Sequence, residues 1–155
     1  MVILTYLAKH TGQFKPQGED EELEALRWII FDNQKVNGFL GPFRFLKNFA
    51  PKPGDPAVMA FMKGRIDGAL AIVNKRLTGR QFLVSDKPTI ADISMTGYLY
   101  YPAEEFGFDK RPSMNAFHQA SCLVKRHELL DLEGVGPTDD CPCGSGHQFA
   151  ACHGL

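Results

Sequence analysis

The sequence predicts an all-α body followed by a short tail rich in cysteine and histidine. Three observations lead there. Apolar residues recur three and four apart, in Val36, Leu40, Phe43 and Leu46 and again in Met59, Met62, Ile66, Ala69, Leu70, Val73 and Leu77, which is the period of a helix with one buried face. Helix-starting and helix-stopping residues separate these runs, and nothing in the chain reads as a sheet. Three of the four cysteines lie together near the C-terminus, outside any helical pattern.

The elements follow in order. Ile3 to His10 reads as the last turns of a helix stopped by Gly12, and it begins abruptly, as though more helix should precede it. Gln13 to Asp20 is a loop. Glu19, Asp20, Glu21 and Glu22 place negative charge where a helix N-terminus favours it. A long helix is expected from about Asp20 to about Phe49. Pro42 lacks an N–H for the Gly38 carbonyl and its ring crowds that turn, so a kink is expected at Gly41-Pro42. Ala50 to Gly54 is a rigid turn, and Asp55-Pro56 is an N-cap followed by proline at the first helical position. That helix ends at Gly79, and Arg80 to Pro88 is irregular. Thr89-Ile90-Ala91-Asp92 opens the next helix with a capping box, in which the Thr89 hydroxyl accepts from the Asp92 N–H and the Asp92 carboxylate accepts from the Thr89 N–H. The helix is expected to run through Leu99 and Tyr100 and to end near Pro102. A last helix begins near Pro112 and continues through Leu130, and Gly134 to Pro137 is a linker.

A chain of 155 residues is one domain, or one domain with an appendage. Its 44% apolar and 23% charged residues are those of a globular protein and exclude a disordered chain. Seventeen basic and eighteen acidic residues leave a net charge of -1, with no basic excess to draw nucleic acid or an anionic membrane. No apolar run approaches the roughly 20 residues that cross a bilayer. The N-terminus lacks the basic lead of a signal peptide, so the expected compartment is the cytoplasm.

In a reducing compartment, clustered cysteine with histidine reads as metal binding before disulfide. Cys141 and Cys143 flank Pro142, and Gly144 and Gly146 let the chain turn back toward Cys152 and His153. Three thiolates and one imidazole make a closed tetrahedral set for a structural zinc ion (Zn2+), with no position open to water. His147 competes with His153 for the fourth place. Cys122 stands apart. His10, His118 and His127 have no nucleophile at a suggestive spacing and read as surface or packing residues.

Two resemblances extend this reading. Residues 2–120 resemble the C-terminal helical domain of the glutathione transferase family. The likeness rests on Ile3 to Gly12, on Phe82-Leu83-Val84, on Pro88-Thr89-Ile90-Ala91-Asp92-Ile93-Ser94, and on Phe106 to Phe117 with Arg111-Pro112. It implies a transferase-type helical bundle at 13–131, with 1–12 as a remnant of the last helix of a thioredoxin-like domain. That other domain supplies the group that activates the glutathione thiol, and no residue here matches it. What the resemblance leaves is a wall for a hydrophobic co-substrate, with Trp28, Phe31, Lys35 and Tyr98 as candidates, while Thr89 and Asp92 serve structure. Glutathione would then be a cofactor only if a thioredoxin-like half is supplied, and a homodimer is compatible with the family.

The tail at 141–155, after a linker at 132–140, is similar to the SEC-C zinc-binding motif at the end of the preprotein translocase ATPase SecA. It shares Cys-Pro-Cys-Gly-Ser-Gly, an aromatic at Phe149, and a final Cys-His-Gly. The resemblance selects Cys141, Cys143, Cys152 and His153 as ligands. In SecA that tail contacts a chaperone and the ribosome, which implies a protein partner. Here His147-Gln148 and Ala150-Ala151 replace residues that are usually basic or polar, so the ligand frame stands without its positive charge. The expected function is a transferase-like helical domain with a zinc tail that binds protein. The rival expectation is a split transferase that conjugates glutathione to a hydrophobic electrophile once completed.

Overall fold

The structure is a computed structural model, and it describes residues 2–97, 107, 110–117, 138 and 148. Helix α1 spans Val2–Thr11. Gly12 ends it at a φ of +74°, in the left-handed region that favours glycine, and its N–H bonds the Ala8 carbonyl at 2.9 Å. Helix α2 spans Gly18–Phe31 with three acidic residues in its first turn. Glu21 reaches back to accept from the Gln17 N–H at 2.8 Å, which satisfies a donor the helix leaves over. A π-helical segment, Asp32–Asn37, follows, then α3 at Gly38–Asn48, α4 at Pro56–Arg76 and α5 at Ile90–Thr96. Residues 112–117 are helical. Every regular element longer than a single residue among the described residues is helical.

The long helix expected from Asp20 to Phe49 is therefore a continuous helical run from Gly18 to Asn48, with a widened turn that the sequence did not show. Pro42 stays inside α3, and the irregular turn lies ahead of it at Asp32–Asn37. Two side chains explain the place. Asn33 donates from Nδ2 to the Ile29 carbonyl at 2.8 Å, filling an acceptor of the helical ladder. Asp32 is tied through Oδ2 to the Ser94 hydroxyl at 2.6 Å. Gly38 then closes the wide turn, because a Cβ there would stand 3.2 Å from the Asn33 carbonyl oxygen.

Helix α4 begins as its residues dictate. Asp55 accepts from the Ala57 and Val58 N–H groups at 2.8 and 3.2 Å, with Pro56 at the first position. Its buried stripe of Ile66, Ala69, Leu70 and Val73 packs with Trp28, Ile29, Val36 and Leu40 in a core completed by Leu83, Met95, Met114 and Phe117. Residues Arg111 and Met114 are each fastened to α4. Arg111 Nη2 meets Asp67 Oδ1 at 2.9 Å, and Asn74 Oδ1 accepts from the Met114 N–H at 3.2 Å.

The chain divides into two units, Met1–His118 and Gln119–Leu155. The expected helix end near Pro102, the expected continuation of the last helix through Leu130, the linker and the four proposed zinc ligands lie outside the described residues. No helix among the described residues is long and apolar enough to cross a membrane.

Candidate functional site

The loop before α5 is held by one buried carboxylate. Thr89 and Asp92 form a capping box, in which Asp92 Oδ2 accepts from the Thr89 N–H at 2.7 Å and from its hydroxyl at 2.9 Å. The same carboxylate uses Oδ1 to accept from the Leu83 N–H at 2.8 Å. The Leu83 carbonyl in turn accepts from Arg76 Nε at 2.8 Å, so the backbone of this one residue is held on both sides. Burial pushes the Asp92 carboxyl above its usual range, against the pull of these donors.

Arg76 also meets Glu24 at 3.1 Å, and Glu24 accepts from Arg27 at 2.6 Å and from the Trp28 indole at 3.0 Å. The Arg27 hydrogen bond above all holds the Glu24 carboxyl down to about 2, despite partial burial. Trp28 is buried beneath these charges, with the Arg27 guanidinium 4.7 Å from its ring centroid and that of Arg76 at 5.9 Å.

Of the candidate wall residues, the structure brings Phe31 and Lys35 together. They line a cleft of about 250 Å³ between the end of α2, the π-helical segment and α4. Gly64, Arg65, Gly68, Ala69 and Ile72 form its other side. Trp28 touches Phe31 edge-on at 5.4 Å but does not line the cleft, and Tyr98 lies outside the described residues. Gly64 and Gly68 went unnoticed in the sequence because glycine in a helix reads only as a weak point. Neither position has an atom within 4 Å of where a Cβ would stand, and that open space is the floor of the cleft. Asp32 was also missed. Its signal was its place on the stripe Trp28, Asp32, Val36, where an i, i+4 pattern puts a carboxylate in the core.

A second concavity, of about 270 Å³, lies between α1 and α2 and is walled by Ala8, Leu23, Leu26, Ile29 and Ile90, with Lys9, Lys15 and Glu22 at its edge. Both helices turn large apolar side chains to water, Leu23 and Leu26 of its wall among them. On α1 these are Val2, Ile3, Tyr6 and Leu7, the first two 79% and 73% exposed, and on α2 they are Leu23, Leu26 and Ile30. Scattered apolar residues are ordinary on a surface, and four on a ten-residue helix are many.

No group of side chains suited to a metal ion exists among the described residues, and the Cys141, Cys143, Cys152 and His153 set lies outside them.

Comparison with known proteins fits this geometry. Residues 43–122 match the family model for the glutathione S-transferase C-terminal domain, and residues 138–155 match the SEC-C motif. A glutathione S-transferase structure from Xanthobacter autotrophicus is similar at 25% identity and a TM-score of 0.71, over 78% of this chain and 60% of that one. A glutathione transferase from Burkholderia graminis, solved with two glutathione molecules per subunit, is similar at 26% identity and a TM-score of 0.68, over 81% of this chain and 54% of that one. A glutathione S-transferase from Pseudomonas fluorescens is similar at 26% identity and a TM-score of 0.68, over 76% of this chain and 59% of that one. The chain thus spans between 54% and 60% of the length of these transferases. No curated protein matches it.

Proposed function

We propose, because the chain belongs to the glutathione S-transferase C-terminal domain family, that it is a transferase-type helical module that binds a protein partner and does not conjugate glutathione by itself. The observation that carries this reading is the number of large apolar side chains that α1 and α2 leave exposed. Burying such side chains is worth about 1.5–3 kcal/mol each, enough to drive association once ordering costs are met. The SEC-C match supports a second contact through the tail. Its donor set of three thiols and an imidazole fits a zinc ion, which would hold the tail's backbone in one shape. The module corresponds to residues 13–131, the linker to 132–140 and the zinc tail to 141–155. Free thiols at these ligands suit a reducing compartment, which supports a cytoplasmic location. The net charge of -1 supports partners other than nucleic acid or membrane.

A second reading is a transferase that works when another polypeptide supplies the group that activates the glutathione thiol. The cleft beside Phe31 and Lys35 favours it, as an apolar wall with a cation at its rim. A glutathione-affinity column separates the two. The module reading expects the purified chain in the flow-through. Specific retention, reversed by free glutathione, would overturn it in favour of the second.

A further inference from the structure

Asp32 is the buried ionisable group that neither the cap nor the cleft explains. It is 1% exposed, at the start of the π-helical segment between α2 and α3. Its Oδ2 accepts from the Ser94 hydroxyl on α5 at 2.6 Å, across 62 positions of sequence. Its Oδ1 is buried and has no hydrogen-bond partner among the described residues. No described cation pairs with it. From α2, Glu24 is engaged by Arg27 and Arg76. From α4, Asp67 is engaged by Lys63 and Arg111, and Arg65 lies against the Phe39 ring. From α5, Asp92 is held by Leu83 and Thr89. On its own segment Lys35 is exposed and turned to the cleft. Among the described residues one hydroxyl is thus the only side-chain donor to this carboxylate, which is poor compensation for a buried charge.

We propose that the Asp32–Ser94 contact is a proton-operated clasp, which seats the π-helical segment on α5 while the carboxyl holds its proton and loosens that segment, with the Lys35 wall of the cleft, when the proton leaves. The element is suited to it. A π-helical turn is a local register insertion that can relax without unfolding the helices on either side. Ser94 can accept from the protonated carboxyl or donate to the ionised one, so the contact survives in both states but the solvation demand differs. Burial pushes the Asp32 carboxyl up to about 6, opposed by the Ser94 hydroxyl and the charge of the amino terminus. The proposal is independent of whether the exposed apolar side chains of α1 and α2 bind a partner.

Amide hydrogen exchange of the intact chain at several pH values, corrected for intrinsic rates, reads the clasp directly. Protection at 32–37 should fall as pH rises, by about 50-fold in total between pH 4 and 7, from a carboxyl at 3.8 when open and about 6 when closed. The amides of α4, which lie outside the clasp, should stay better protected than those of 32–37 at every pH. Asp32→Asn should remove the pH dependence. Ser94→Ala removes a donor that favours the charged form, so it should move the transition to higher pH, and it serves where Asp32→Asn does not fold. Unchanging protection at 32–37 in the parent would overturn the proposal. So would an equal fall in Asp32→Asn, or a transition that Ser94→Ala leaves in place.

Discussion

Asp92→Ala is the substitution with the best-defined cost. The carboxylate is 2% exposed and accepts from the Leu83 N–H at 2.8 Å, the Thr89 N–H at 2.7 Å and the Thr89 hydroxyl at 2.9 Å. Truncation strands two buried backbone donors, at about 1–3 kcal/mol each. Part of that loss is returned, because a carboxylate raised by burial is itself imperfectly compensated and its removal relieves desolvation. The net cost should be about 3 kcal/mol, a large share of the roughly 5–15 kcal/mol that holds a domain together. Trp28 is the only tryptophan and is buried, so its fluorescence reports urea unfolding. With a urea slope of about 2 kcal/mol/M, the midpoint should fall by roughly 1.5 M at unchanged slope. Thr89→Ala, which loses the cap and one hydroxyl donor to Asp92 but keeps the grip on Leu83, should cost about 1 kcal/mol. If Asp92→Ala costs no more than Thr89→Ala, the grip on Leu83 contributes nothing and the reasoning fails.

Other substitutions test other contacts. Asp32→Asn should make the chain more stable at pH 7, because a carboxyl raised from 3.8 to about 6 favours folding below the lower value and loses that contribution as pH climbs to the upper, about 3 kcal/mol in all. Urea midpoints at pH 4 and 7 should therefore differ in the parent by more than in the variant. Glu24 has the opposite sign. Its carboxyl, lowered from 4.5 to about 2, stabilises above the unfolded value and ceases to as pH falls toward 2, so Glu24→Gln should cost about 1 kcal/mol at pH 7 and little at pH 2 in the same assay. Metal analysis after dialysis should find one zinc ion per chain, lost in Cys143→Ala and kept in Cys122→Ala. Affinity should fall with pH as the thiols protonate. Far-UV circular dichroism should change little when a chelator removes that zinc.

What the sequence made legible was local. Gly12, Asp55-Pro56 and the pair Thr89 and Asp92 each act within four residues, so residue type and spacing suffice to place helix ends. Phe31 and Lys35 share a helix face at i, i+4, and the structure puts both on one cleft. Trp28 turns inward because its own stripe continues through Asp32 and Val36. The distant partners could not be read. Asp32 with Ser94 and Asp67 with Arg111 lie 62 and 44 positions apart, and nothing in spacing selects one hydroxyl or one guanidinium from the rest. Proline drew attention to position 42, although the turn that widens is set by side chains of Asp32 and Asn33 reaching for other partners.

The most direct measurement is the initial rate of thioether formation from reduced glutathione and a hydrophobic aryl halide, with the purified chain against buffer. Thiol chemistry at neutral pH needs a donor that stabilises the thiolate. A module that only binds protein should give the buffer rate at every glutathione concentration. A rate that rises with the chain and saturates in glutathione would contradict it and show that the chain builds a complete site of its own.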